Sequence, residues 1–206
     1  MNKPSVIKER LLPYFLHRLH ESGVPQPSYP DELTDAITVH YIPPGQRIDQ
    51  PIPCLFFLAH GLLKEYYRSK RSVQPSSLVQ LLMPDDLWVY NRATYKFRTR
   101  ALLPTWLLEI SLDKLHCIID TSHSLRLWLE QLEMCYRSKH CFSSFLKAQP
   151  DQNERILFFL EEYGPYIDFL SSNEIQHYTG LNKWKIEKLR AIAFLYQRFD
   201  YGNILL

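Results

Sequence analysis

Lys183, Trp184, Lys185 and Lys188 fall within six residues of one another and carry the chemistry most readily assigned in this 206-residue chain. Ammonium groups on one side of a helix suit a phosphate backbone, and lysine also reaches guanine acceptors. From Lys183 to Arg198 there are five basic residues against Glu187 alone, a local excess of four positive charges. Trp184 has a single donor, so it can face either a nucleic-acid groove or a protein. The residues before this cluster set its geometry. Ser171 with Glu174 three residues later has the form of a capping box, which starts a helix. Ile175 and Tyr178 form its apolar face, and Gly180 supplies a turn where positive φ costs little. Leu181 plugs the corner, Asn182 caps the next helix, and Ile186 and Leu189 return to the same core. That is the spacing of a helix-turn-helix, whose second helix enters the DNA major groove. A helical hairpin with a solvated basic face is the alternative.

Other chemistries find less support. Cys54, Cys117, Cys135 and Cys141 are scattered, with no C-x-x-C pair and no histidine at zinc spacing, and read as buried free thiols. His17 and His20 share a helix face but lack a third ligand. There is no H-x-H pair for a cupin metal, and no nucleophile–base pattern. No catalytic residue, metal or cofactor is therefore expected. The formal net charge of +2 is evenly spread: residues 1–120 carry 14 basic and 12 acidic side chains, and residues 121–206 carry 10 of each. Any nucleic-acid footprint is then confined to the second helix, and binding calls for a dimer. No apolar run approaches a membrane span and the N-terminus lacks a signal-peptide core, so a cytoplasmic protein is expected.

The 46% hydrophobic content supports a substantial core. Val6 to His20 has an amphipathic helical pattern, and Pro25, Pro27 and Pro30 break the chain into a loop. From Ile37 the period becomes that of strands. Ile37, Val39 and Tyr41 alternate with polar residues, followed by strands over Leu55–Leu58, Leu62–Tyr67, Ser77–Leu82, Phe97–Ala101 and Trp106–Ile110. Many short strands with regular turns indicate an antiparallel jelly roll. A short helix over Ser111–Ile119 and a long one over Ser122–Lys147 come next. The long helix carries an aromatic-rich stripe that includes Leu125, Trp128, Leu129, Leu132, Cys135 and Tyr136, with Lys139 interrupting it. The dimer is assigned to Leu125, Trp128, Leu129, Leu132 and Tyr136; packing onto the chain's own roll is the alternative. Asp151 and Glu154 open a further helix that Gly164-Pro165 stops.

A β-roll, a long helix and a C-terminal helix-turn-helix, in that order, resemble the Crp/Fnr family of bacterial transcription regulators. The resemblance rests on His40-Tyr41-Ile42-Pro43-Pro44-Gly45, Phe56-Phe57-Leu58-Ala59-His60-Gly61-Leu62-Leu63, Leu81-Leu82-Met83-Pro84-Asp85-Asp86-Leu87 and Leu107-Leu108-Glu109-Ile110-Ser111. It implies an α+β fold: a cyclic nucleotide-binding-like β-roll over 1–120, a dimerisation helix over 121–148 and a DNA-binding domain over 149–206. It implies a homodimer bound to double-stranded DNA.

The family's phosphate cassette is degenerate here. Val89-Tyr90 replaces Gly-Glu, and Tyr95-Lys96-Phe97 stands where Arg-Ser-Ala belongs, so cyclic AMP is not expected to bind. Aromatic residues around Trp88 and Tyr90 fill the former pocket with core; an unknown small-molecule effector is the alternative. Gln176 stands where the motif prefers a small side chain, and the usual wing is reduced to Asp200–Leu206. Trp184 and the missing wing leave a second reading, in which the C-terminal domain binds a protein.

Overall fold

The computed structural model describes residues 4–21, 31–67, 78–90, 97–120 and 123–202, excepting the side chains of 4–5, 133, 135, 137 and 196–202. Two compact units divide the chain. The first comprises Met1–Arg68 with Gln80–Lys139, and the second Ser69–Val79 with His140–Leu206.

In the first unit, α1 (Pro4–Glu21) and a short α2 (Asp31–Ala36) precede the strands. The strands are β1 (Thr38–Ile42), β2 (Arg47–Ile48), β3 (Cys54–His60), β4 (Leu63–Tyr67), β5 (Leu78–Leu82), β6 (Leu87–Tyr90), β7 (Phe97–Ala101) and β8 (Thr105–Ser111). They form two antiparallel four-stranded sheets, ordered β1-β8-β3-β6 and β2-β7-β4-β5, which is the jelly roll expected. The pattern missed β2, β6 and α2. A two-residue strand is too short to show a period, and Leu87-Trp88-Val89-Tyr90 is apolar throughout rather than alternating.

β3 explains how the layers are built. Its run Cys54-Leu55-Phe56-Phe57-Leu58 is buried at every position, which requires cover on both faces. Cys54, Phe56 and Leu58 join Trp88, Tyr90, Leu63 and Leu107 in one core. Leu55 and Phe57 join a second core made with α1, α3 (Leu112–Ile119) and α4 (His123–Ala148). Phe15 of α1 packs on Phe57 at 5.5 Å between ring centroids. Ser111 caps α3 by accepting from the Lys114 amide.

α4 requires a correction. Leu125, Trp128 and Leu129, assigned above to a dimer, are 0%, 3% and 9% exposed and belong to the second core. Leu132 packs against the same cluster, and the Tyr136 hydroxyl donates to Glu65 Oε1 and Oε2 at 2.9 and 3.0 Å. The aromatic stripe is therefore satisfied within its own chain, because a roll with one apolar outer face must bury that face. Lys139 breaks the stripe to form an ion pair with Asp86. Cys135 lies outside the described side chains. The thiols also divide: Cys54 is buried, whereas Cys117 and Cys141 sit on the outward sides of α3 and α4.

Glu65 is fully buried and points into the space between the sheets, accepting also from Gln80 Nε2 at 2.6 Å and Thr99 Oγ1 at 3.4 Å. A buried carboxylate persists only with such donors. Burial, reinforced by Glu65, drives the Tyr136 hydroxyl pKa far above its ordinary value, so the phenol remains a donor. Tyr136→Phe keeps the ring and removes a donor from the buried carboxylate. It should lower stability by about 1–3 kcal/mol in a urea titration, with the slope of the transition unchanged.

Candidate nucleic-acid interface

The second unit contains the end of α4, then α5 (Gln152–Tyr163), a 3-10 turn over Gly164–Phe169, α6 (Ser172–Thr179) and α7 (Lys183–Gly202). Asp151 caps α5 by accepting from the Asn153 amide at 2.8 Å. Gly164-Pro165 ends α5, as expected, although the chain continues as a 3-10 turn. An aromatic core holds these helices together. Phe142, Phe159, Tyr163 and Tyr178 meet edge-on or tilted at 5.4 to 6.3 Å between centroids. The Tyr163 and Tyr178 hydroxyls lie 3.2 Å apart, and Ser143 donates to the Tyr178 carbonyl at 2.7 Å.

The turn between α6 and α7 follows from its residues. Ser171 and Glu174 form the full capping box. Gly180 closes α6 with φ of 70°, donating to the Gln176 carbonyl at 2.8 Å. A Cβ there would meet Lys147 and Arg155 side-chain atoms at 3.4 Å, in addition to the strain of positive φ. The Thr179 hydroxyl donates to the Ile175 carbonyl and accepts from the Leu181 amide, closing the corner. Leu181, Ile175, Tyr178, Ile186 and Leu189 are all buried, and Asn182 Oδ1 accepts from the Lys185 amide at 3.0 Å. Gln176 is exposed, so its size does not obstruct the helix crossing.

The expected binding residues lie on α7 as follows. Lys183 and Lys188 are exposed, and Trp184 is 69% exposed with the Lys185 ammonium 5.4 Å from its ring centroid. Lys185 is half-buried and donates to Asn153 Oδ1 at 3.3 Å, while Lys188 reaches the same oxygen at 3.5 Å. Asn153 thus draws two ammonium groups together from a different helix, a role that no motif in the sequence signals. Arg190, counted in the local positive excess, instead donates to the Leu170 carbonyl at 2.6 Å. It belongs to the unit's own packing.

α7 also departs from expectation. It is a 20-residue helix rather than a short one, because no glycine or proline interrupts its pattern before Gly202. Asp200–Gly202, read as the remnant of a wing, are its last residues, and 203–206 lie outside the described residues. Further along the exposed side, Phe194 and Leu195 are 55% and 53% exposed.

In the first unit, the positions expected to be a degenerate cassette separate. Tyr90 and Trp88 are buried in the inter-sheet core, with Phe56 5.2 Å from Trp88 and 6.1 Å from Tyr90 by ring centroid. Val89 is half-buried and packs against the helix-side core, and Phe97 is half-buried on β7 beside Tyr67. Tyr95 and Lys96 lie outside the described residues. A cavity of about 250 Å³ lies beside the roll, bounded by Arg18, Asp86, Trp128, Gln131 and Lys139 among others.

One titratable cluster sits at the edge of β1 and β8. Glu109 accepts from Gln50 Nε2 at 2.6 Å, from the Cys54 thiol at 3.3 Å and from His40 Nε2 at 3.0 Å. Burial pushes the Cys54 thiol up to about 12, with Glu109 adding to the effect, so this thiol is no nucleophile. Among the described residues no group of three or more His, Cys, Asp or Glu is placed to hold a metal. No described helix is long and apolar enough to cross a membrane.

No protein-family model matches the chain, and no curated protein matches it in sequence. Solved structures do match its fold. FixK2 from Bradyrhizobium japonicum superposes with a TM-score of 0.62 at 14% identity, covering 78% of this chain and 86% of that one. A cyclic nucleotide-binding domain containing protein from Listeria monocytogenes gives 0.57 at 16% identity, over 86% and 87% of the two chains. A candidate transcriptional regulator of the Crp/Fnr family from Eubacterium rectale gives 0.56 at 14% identity, over 84% and 85%. At these identities the likeness is one of fold. The chain has the fold of Crp/Fnr regulators.

The His40–Glu109 pair supplies a pH test. The hydrogen bond to Glu109 raises the His40 pKa above its ordinary 6.5, outweighing burial. Burial alone would raise Glu109, but hydrogen bonds from His40, Cys54 and Gln50 bring it below 4.5. The histidine's contribution to stability is complete below its unfolded-state pKa and is lost as pH rises through its folded value. The glutamate's contribution is present above its unfolded-state pKa and is lost as pH falls through its folded value. Both act between those two folded values. NMR titration should find the His40 ring protonating above 6.5, and Glu109→Gln should return it towards that figure.

Proposed function

We propose that this chain is a homodimeric, DNA-binding transcriptional regulator of the Crp/Fnr type, cytoplasmic and unresponsive to cyclic AMP. One observation carries the reading: Lys183, Trp184 and Lys188 share the exposed side at the start of α7, directly after a capped helix and a left-handed Gly180. A helix presented this way can place its first turns in a major groove, with lysines on phosphate or guanine.

The dimer reading moves to the outward side of α4. Leu127 and Met134 are exposed there and lie seven residues apart, the spacing of a two-helix seam. The cyclic AMP reading rests on Trp88, Tyr90 and Phe56, whose rings occupy the interior of the roll. Space for an effector exists instead in the cavity bordered by Arg18, Trp128 and Lys139. A second reading, in which α7 docks a protein, is favoured by the exposed Phe194 and Leu195, which nucleic acid has no use for.

Selection of bound fragments from random genomic DNA at low salt separates the two. On the DNA reading, fragments share half-sites one helical turn apart, and Lys183→Ala or Lys188→Ala costs about 1–3 kcal/mol for each base interaction removed. Trp184→Ala weakens binding if α7 lies in the groove and leaves it untouched if that side meets a protein. Retention of no DNA by an intact dimer would transfer the assignment to the protein reading.

Sedimentation tests the dimer separately. Leu127→Asp with Met134→Asp should give a folded monomer, since both side chains lie outside the core. A native chain that sediments as a monomer at micromolar concentration would exclude the dimer.

A further inference from the structure

Lys185 and Lys188 stand three residues apart on α7, so their side chains are neighbours on one side of the helix. Both donate to a single oxygen, Asn153 Oδ1 of α5, at 3.3 and 3.5 Å. The two ammonium nitrogens are therefore no more than about 7 Å apart, a separation at which like charges repel. Acids stand close in the sequence. Asp151 and Glu154 lie within two residues of Asn153, and Glu187 adjoins Lys188. Among the described residues neither lysine forms an ion pair with any of them, and Asp151 accepts from the Asn153 backbone amide instead.

The shared acceptor is neutral, and its neutrality has a consequence. An aspartate at 153 would hold the same two lysines and cancel one of their charges. Asparagine gathers them with both charges intact. Only the amide oxygen can accept from an ammonium, so the two lysine donors fix which way the side chain is turned. Its Nδ2 remains a donor with no partner among the described residues. Lys185 is restrained a second time by the Trp184 ring, 5.4 Å from its ammonium. Three side-chain donors thus meet at one place, and none of them donates to a carboxylate.

We infer that Asn153, Lys185 and Lys188 clamp one phosphate of a nucleic-acid backbone, with Asn153 as the positioning residue. One phosphate suits the gap, because its two unesterified oxygens can each accept an ammonium at about 2.7–2.9 Å. A helix seated in a major groove meets phosphates along its flank, and a bond there fixes its register without reading sequence. Lys188 is then a phosphate ligand, which leaves Lys183 and Trp184 for base edges. The inference rests on the nucleic-acid reading of α7.

Binding of the full-length chain to labelled duplexes of unrelated sequence, measured between about 50 and 200 mM salt, tests the clamp. Asn153→Ala, at an exposed position, keeps both charges and removes the oxygen that gathers them. It should lower affinity several-fold for every duplex, with the slope of log K against log salt unchanged. Lys185→Ala or Lys188→Ala should flatten that slope by about 0.9, and the double variant by the same amount, because the two share one phosphate. Asn153→Asp retains the acceptor and adds an acid to the first turn of α5, which favours the helix. Its thermal midpoint should hold or rise while its affinity falls further than that of Gln152→Glu, which adds the same charge one residue away. A purely structural role for Asn153 would make affinity follow stability. A folded Asn153→Ala with native affinity, or a double lysine variant whose slope falls by twice that of each single one, overturns the clamp. The two readings fail differently. A native chain that retains no duplex at low salt overturns both, whereas weakened binding by Lys183→Ala with the Asn153 variants silent sinks the clamp alone.

Discussion

A single buried carboxylate organises the first unit. Glu65 could have been apolar; as a polar group inside the roll it is tolerable only while its two oxygens are occupied by donors. Gln80 comes from β5, Thr99 from β7 and Tyr136 from α4, so the requirement fixes two neighbouring strands and a helix at once. Apolar packing alone would let α4 slide or rotate by one residue at modest cost, whereas the carboxylate accepts one position of the phenol. Trp128 and Leu129 then face the outer sheet because Tyr136 faces the inner space. The inward turn of the helix stripe is thus settled by a polar interaction that hydrophobic periodicity cannot reveal.

The same interior is filled by aromatic side chains. Trp88, Tyr90 and Phe56 stack at centroid distances suited to favourable ring interactions. Each buried ring contributes about 1.5–3 kcal/mol relative to exposure. Against this, Trp88 Nε1 is buried with no hydrogen-bond partner among the described residues, a cost of about 1–3 kcal/mol. Burial more than offsets that defect. A roll that emptied itself to admit a nucleotide would forfeit several such contributions.

Much of this was legible in the sequence for reasons that differ by region. The turn at Gly180 was fully legible, because capping, positive φ and the corner leucine are local effects within eleven residues. The jelly roll was legible from the count and spacing of strands, although β6 was hidden by burial on both faces and β2 by its length. The function of the α4 stripe was not legible. An apolar helix face reads identically whether it meets its own roll or another chain, and only the tertiary structure shows that Leu125 and Trp128 are already covered. Asn153 was equally invisible, since its reach to Lys185 and Lys188 depends on a helix crossing.

The filled roll also constrains how such a protein could be controlled. A ligand shifts a conformational equilibrium only by its difference in affinity for the two states. A ligand inside the roll would have to displace Phe56, Trp88 or Tyr90, whose rings lie 5.2 to 6.1 Å apart by centroid. The remaining cavity borders α4 through Trp128, Gln131 and Lys139, the helix whose opposite side carries Leu127 and Met134. A molecule seated there would act on the side chains that hold α4 to the roll, beginning with the Lys139–Asp86 ion pair.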